Sequence, residues 1–289
     1  MMGPARFARL TLRTGAFVVA MFASMSFDAQ SDSNDSLGKR LVAAVVDADV
    51  EKTRTLLGEW KATGKPWPLG PDEKPLLFVA IEGRYKAHPQ VIELLLENGA
   101  QVAARGPLGM SALHWAAANG YVERTEQILK HHPALEATDD RGRTPLLVAH
   151  RDAAEKLLAA GANVRAVDKD GFTALHYAAQ NGGNHLALVF AAGAVEVDAR
   201  SKAGLTPLHV AAVEGTESAA RWLLEHGARR DLATTADYDY LPRGFAPGYG
   251  NELKIKRGST ALRIAQEQHA STKWSSGHHR AVLELLKSR

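Results

Sequence analysis

Apolar residues in this chain recur as pairs of short segments with helical spacing. In the clearest unit, Thr206-Pro207-Leu208-His209-Val210-Ala211-Ala212 leads through Gly215 to Trp222-Leu223-Leu224-Glu225-His226-Gly227-Ala228. Leu208, Ala211 and Ala212 fall on one face of a helix. Thr206 is placed to cap that helix, and Pro207 suits its first position, where an N–H would be unpaired anyway. The two alanines let a neighbouring helix come close. Gly215 ends the first helix, Leu223 and Leu224 anchor the second, and Gly227 is placed to close it in a left-handed cap. Such a unit cannot bury its apolar face alone, so the pattern predicts neighbours of the same kind.

The neighbours are present. Ser111-Ala112-Leu113-His114-Trp115-Ala116-Ala117, Thr144-Pro145-Leu146-Leu147-Val148-Ala149 and Thr173-Ala174-Leu175-His176-Tyr177-Ala178-Ala179 repeat the motif. Lys74-Pro75-Leu76-Leu77-Phe78-Val79-Ala80 and Thr260-Ala261-Leu262-Arg263-Ile264-Ala265 are looser copies. Leucines at 76, 113, 146, 175, 208 and 262 mark the series, with spacings of 37, 33, 29, 33 and 54. A period near 33 with this signature resembles the ankyrin repeat, over roughly residues 36–289. The resemblance implies an all-α solenoid of about six stacked helix–turn–helix units with short β-hairpin fingers. These form one domain over residues 37–289, with a long insertion at 230–258.

The departures from the pattern are local. Leu37 to Leu57 has two stretches of helical spacing without the signature, as expected of a capping repeat. Gly64 to Pro75 carries four prolines and predicts an extended stretch rather than a regular finger. The copy at Thr144 runs only 16 positions from Pro145 to Gly161, against 20 from Pro207 to Gly227. Four residues are about one helical turn, so one of its helices is expected to be a turn short, with a local kink. The copy beginning at Pro75 is longer, with its surplus at 83–89. The insertion carries Tyr238, Tyr240, Phe245 and Tyr249; a stretch so long is more often functional than filler, and its aromatics argue against simple disorder.

The first residues are of another kind. Arg6, Arg9 and Arg13 precede an apolar run from Gly15 to Met25, with no acid before Asp28. This predicts a secretory signal peptide over residues 1–26, ending near Ser24-Met25-Ser26 or at Ala29, then a flexible polar linker at 27–36. An uncleaved anchor and a misplaced start are the alternatives. The run is short for a span of about 20 apolar residues, so no stable membrane insertion is expected after cleavage. The signal also changes the charge argument. The formal charge of +3 equals those three arginines, leaving 32 basic and 32 acidic residues. The basic balance therefore gives no support for nucleic-acid binding. The absence of cysteine excludes disulfides, cysteine-ligated metal and thiol chemistry.

Chemistry is hard to place. His114, His176 and His209 share one position of three repeats, which the resemblance makes structural. His131-His132 end a second helix. His278-His279 with His269 form the one cluster worth a metal hypothesis, but adjacent histidines point apart and no carboxylate has suitable spacing. No nucleophile elbow, phosphate loop or His-Glu-x-x-His is present. Neither a cofactor nor an enzymatic activity is expected, the rivals being an enzyme using the 230–258 loop and a membrane-tethered scaffold.

A binding surface is the better candidate. The resemblance implies that a protein partner contacts the finger tips and the exposed side of the first helices, on the concave face. The residues so selected are Leu108, Met110, Arg141, Arg143, Lys169, Asp170, Phe172, Lys202 and Leu205 on the fingers. Asn119, Asn181 and Glu214 join them from the first helices, and Tyr238, Tyr240, Phe245 and Tyr249 from the insertion. Met110, Phe172 and Leu205 are apolar where exposure is expected: either they form an interaction stripe or they pack on neighbouring fingers. Trp115 and Tyr177 are expected to pack. With the signal, the resemblance implies an exported, bacterial-type ankyrin protein acting in the periplasm, and a general binding partner is expected, as a monomer. Two narrower roles stand beside it: an immunity protein neutralising a toxic effector such as a phospholipase, and a helper of a periplasmic enzyme such as catalase.

Overall fold

The computed structural model describes residues 36–82, 89–183, 185–193, 196–240, 253–270 and 277–288. The proposed signal peptide and all of the linker except Ser36 lie outside these residues, as do Phe245, Tyr249 and most of the surplus at 83–89. Among the described residues fourteen α-helices fall into seven pairs. They are α1 (Ser36–Val46) with α2 (Val50–Ala62), α3 (Leu76–Glu82) with α4 (Pro89–Glu97), α5 (Ala112–Ala118) with α6 (Val122–Leu129), and α7 (Pro145–Val148) with α8 (Arg151–Ala159). Then come α9 (Ala174–Gln180) with α10 (Leu186–Ala191), α11 (Pro207–Glu214) with α12 (Glu217–Glu225), and α13 (Ala261–Ala270) with α14 (Gly277–Lys287).

First helices pack in a continuous row, α1 on α3 through to α11 on α13. Second helices run beside it, α2 on α4, α4 on α6, α6 on α8 and α12 on α14. Small residues make the close approach possible: Ala116, Ala117, Ala178, Ala179, Ala211 and Ala212 are all wholly buried. The predicted Gly215 turn is left-handed, at φ 69°. A Cβ there would also meet the His279 ring at 3.0 Å, so glycine is required twice over.

Hydrogen bonds fix the stacking distance. The amide N–H of Thr206 donates to His209 Nδ1 (3.1 Å), as Ser111 does to His114 (3.2 Å) and Thr173 to His176 (3.1 Å). A backbone N–H can only donate, so each Nδ1 is the acceptor and the proton sits on Nε2. Nε2 then donates to the next repeat: His114 to the Arg143 carbonyl (2.8 Å), His176 to Leu205 (3.0 Å) and His209 to Ser259 (3.1 Å). Finger to finger, the N–H groups of Asp140, Lys169, Lys202 and Thr235 donate to the carbonyls of Leu108, Arg141, Asp170 and Ala203.

The short copy interrupts this order. Its first helix is only four residues long, as its length predicts. Leu147 stands at the histidine position, and the buried Thr144 hydroxyl has no partner. The buried apolar residues divide there into two clusters, Leu146 belonging to the first and Leu147 to the second.

Two expectations are corrected. The proline-rich stretch does form a finger, with an antiparallel bridge between Leu69 and Pro75 around the turn Pro71–Glu73. Pro66 and Pro68 lie outside that bridge, so their missing N–H groups do not interrupt it. The copy is also registered one residue later than the sequence alignment. Gly70 N–H donates to the Lys74 carbonyl as Gly106 does to Met110 and Asp139 to Arg143. Leu77 is therefore the equivalent of Leu113, and Phe78 takes the histidine position. Its ring fills the space that a Cβ at Gly106 would need, 2.6 Å away.

Burial lowers the pKa of His176 and of His209 from 6.5 to about 4. The native values lie below the unfolded one, so the unfolded chain binds more protons in this window. The stabilisation is complete above pH 6.5 and is lost as pH falls towards 4, by about 1.4 kcal/mol per unit for each histidine. The urea midpoint should fall from pH 6.5 to pH 5, and this slope should flatten in a His176→Gln/His209→Gln chain. At the caps, Thr206→Val should cost about 1 kcal/mol. Thr144→Val, which removes an unpartnered hydroxyl, should change stability by less than about 0.5 kcal/mol in the same titration.

Candidate protein-binding surface

Four fingers are each organised by one buried polar residue ahead of the first helix, where the two fingers nearer the N terminus carry Gly70 and Gly106. Asp139 Oδ1 accepts from the N–H groups of Arg141 and Arg143, both at 2.9 Å. Asp168 Oδ1 accepts from those of Asp170 (2.9 Å) and Phe172 (2.8 Å). Ser201 Oγ accepts from Leu205 N–H (3.1 Å), and Thr234 Oγ1 from Ser259 N–H (3.0 Å). These turns aim the residues between them outward and turn the one before the helix inward.

The inward position corrects part of the sequence-based surface. Leu205 has no exposed surface, Phe172 retains 7% and Met110 8%. All three pack within the stack and are not a solvent-facing stripe, because the finger hydrogen bond draws their backbone over the first helices. Arg143 is bound as well: Nε and Nη2 lie 2.7 Å and 2.6 Å from Asp139 Oδ2. Its carbonyl accepts from His114. A cation so held is part of the scaffold. Tyr240, at 2% exposure, is also buried. Tyr177 packs as expected, and Trp115 lies half-buried near Phe78, with ring centroids 6.5 Å apart.

What remains open is concentrated at the finger tips. Leu108 is 61% exposed, and its φ of 58° places a branched apolar side chain in the left-handed region. Such backbone strain persists only where surrounding contacts enforce it, and it concentrates at functional sites. Here the Leu108 carbonyl is held by Asp140 N–H at 3.0 Å. Lys169, Lys202 and Asn119 are exposed, while Arg141, Asp170, Asn181 and Glu214 are half-buried. Lys169 Nζ caps the Asp140 carbonyl at 2.6 Å. Arg105, not selected from the sequence, joins two fingers by donating to the carbonyls of Gly109 (2.9 Å) and Thr138 (2.7 Å). Leu69 and Val167 were also missed; both are more than half exposed and each is the first residue of a finger bridge. Alternation around the finger bridge was the one signal that would have selected them.

The insertion is an elongated last finger. Thr234 N–H donates to the Ser259 carbonyl (3.0 Å), as Ser201 N–H does to Leu205 (2.8 Å). Beyond it, β1 (Tyr238–Tyr240) and β2 (Leu253–Ile255) pair antiparallel, Tyr238 opposite Ile255 and Tyr240 opposite Leu253. Asp239 and Lys254 face outward across the ribbon. Tyr238 Oη donates to Asp170 Oδ2 (2.9 Å) and Tyr240 Oη to Glu214 Oε1 (2.9 Å), while Gln180 Nε2 donates to Tyr240 Oη (2.9 Å). Burial first, and then the nearby carboxylates, push both phenols above their ordinary pKa, which keeps them neutral donors.

Among the described residues no group of three or more metal-ligating side chains is present. His279 Nε2 donates to the Val213 carbonyl (2.9 Å), and exposed His278 points elsewhere. No helix of the described residues is long and apolar enough to cross a membrane.

The family model described as "Ankyrin repeats (3 copies)" matches residues 77–166 and 149–234, more than half of the chain. The chain belongs to the ankyrin repeat family. Human neurogenic locus notch homolog protein 1 is 37% identical over 127 residues, covering 42% of this chain and 5% of that protein. A probable E3 ubiquitin-protein ligase, XBOS33, from Oryza sativa subsp. japonica is 34% identical over 116 residues, covering 40% and 22%. The chain thus spans a small part of these relatives. In fold it is similar to the ankyrin repeat domain of Bcl-3, with a TM-score of 0.60 and 24% identity over 86% of this chain and 98% of that one.

The two finger arginines separate scaffold from surface. Arg143→Ala leaves the buried Asp139 carboxylate short of its charged partner and should cost about 2–3 kcal/mol in urea unfolding. Arg141→Ala should change stability by less than about 0.5 kcal/mol.

Proposed function

We propose that this chain is a non-enzymatic protein-binding module that reads its partner with the finger tips around Leu108. Ankyrin repeats are protein–protein interaction modules, and the observation that carries this surface is Leu108 itself: exposed, apolar and held at positive φ. Exposed apolar side chains ringed by charge are what a partner buries, with the rim setting orientation. Arg105, Arg141 and Lys169 supply such a rim, and Asn119 lies at the end of the adjoining helix α5.

We further propose export to the periplasm, supported by the basic segment and apolar run at residues 6–25. A hydrogen-bonded stack offering one fixed face suits either neutralising a toxic effector or steadying an enzyme, since both need a preformed surface. Neither role requires the stack to move.

The test is a pair of measurements on purified protein. Leu108→Asp with Arg141→Glu should reduce capture of the partner from periplasmic extract at least tenfold, with no loss of thermal stability. Undiminished capture would remove this surface from consideration. Mass spectrometry of the exported chain should find an N terminus after Ser26 or Ala29, and an intact Met1 would defeat the cleaved signal.

A further inference from the structure

The elongated finger folds back over the repeats before it. β1 and β2 are hydrogen-bonded to each other and are joined to the last finger through Thr234, Gly258 and Ser259. They reach the stack through side chains. The Phe172 ring is the centre of that contact, with centroid distances of 5.8 Å to Tyr238, 6.4 Å to Tyr240 and 6.2 Å to Tyr177. The two phenols end on Asp170, in the finger ahead of α9, and on Glu214, at the end of α11. Gln180, at the end of α9, donates to the same phenol as it meets Glu214. Finger tips and ends of first helices are the positions that an ankyrin partner is expected to touch. In the fifth and sixth helix pairs a segment of the same chain is already seated on them.

We propose that the β1–β2 ribbon is an intramolecular occupant of the binding face of the fifth and sixth helix pairs. The face beneath it is a site for an extended strand carrying tyrosines at alternate positions. Strand side chains alternate with a period of two, so Tyr238 and Tyr240 point together into the site while Asp239 points away. Phe172 supplies an aromatic platform, and Asp170 and Glu214 each accept one phenolic proton. The ribbon is tethered at both ends to its own finger, so its effective concentration at the site is high and a partner in trans is excluded from it. Partner recognition is thereby confined to the fingers nearer the N terminus and to the part of the fifth finger that the ribbon leaves exposed, Lys169. This rests on the binding-face reading above, but its test uses no natural partner, so the two fail separately.

The experiment replaces Asp237–Ile255 by two glycines, which keeps Thr234, Lys256 and Ser259 and the finger hydrogen bonds among them. The probe is a synthetic hairpin, fluorescently labelled, in which Thr234–Tyr240 is joined to Leu253–Arg257 by Asn-Gly, a favoured two-residue turn. Fluorescence anisotropy should show saturable binding to the shortened protein and at least tenfold weaker binding to the full-length chain. A probe with both tyrosines changed to phenylalanine should bind the shortened protein at least tenfold more weakly, and Phe172→Ala in that protein should do the same. Equal binding to both proteins, or to neither, would overturn the proposal. So would loss of the shortened protein's helical circular dichroism at 25 °C, because the ribbon would then be part of the scaffold. In the full-length chain, Tyr238→Phe/Tyr240→Phe should raise hydrogen exchange at 238–240 and 253–255 while leaving α9 and α11 protected. Unchanged exchange in the ribbon counts against it.

Discussion

The hydrogen bond from a buried imidazole to the carbonyl of the next repeat is the constraint on which the stack depends. Each histidine is pinned twice. Its own cap donates to Nδ1, which forces the proton to Nε2, and Nε2 then donates to the carbonyl just ahead of the next helix cap. Local helix initiation and the spacing between repeats are thereby set by the same ring. An unpaired ring nitrogen this deeply buried would cost more than the bond contributes, so the link is directional as well as attractive. Its tautomer also ties the stack to neutrality, since protonation would place a second donor against the cap N–H.

Where this link is missing the structure changes character. At Leu147 there is no imidazole, the Thr144 hydroxyl goes unpartnered, α7 shrinks to four residues and the apolar core divides. Phe78 is a different solution to the same absence: its ring packs against Gly106, trading a directional bond for close contact. The first helices nonetheless remain in one row across both places, and on either side of Leu147 the finger-to-finger backbone bonds persist.

The proposed binding surface follows from the same turn chemistry. Asp168 and Ser201 tie down the residue ahead of the helix in their fingers, and the Gly106 N–H donates to the Met110 carbonyl in its own. Phe172, Leu205 and Met110 are buried there, although their apolar character first marks them as surface candidates. The exposed face is left to Leu108 and the long cations, with one end of it covered by the chain's own tyrosines.

The repeat, the two helices per unit and the shortened fourth pair were all legible in the sequence. They depend on local spacing and capping, which act over a few residues, whereas the structural role of the histidines was implied by the family resemblance. The register at Pro75 and the finger in the proline-rich stretch were not legible, because the bonds that set them, Gly70 to Lys74 and Leu69 to Pro75, join residues without the Thr-Pro-Leu-His signature. The burial of Phe172 was not legible because it is completed by the rings of Tyr238 and Tyr240, far along the chain. Tyr238 and Tyr240 show the division most clearly. Their aromatic character argued against simple disorder in the insertion, but only tertiary structure brought their phenols to Asp170, 68 residues away, and to Glu214, 26 residues away. Periodicity determines which face of an element is apolar, whereas which neighbour covers that face is decided when the chain packs.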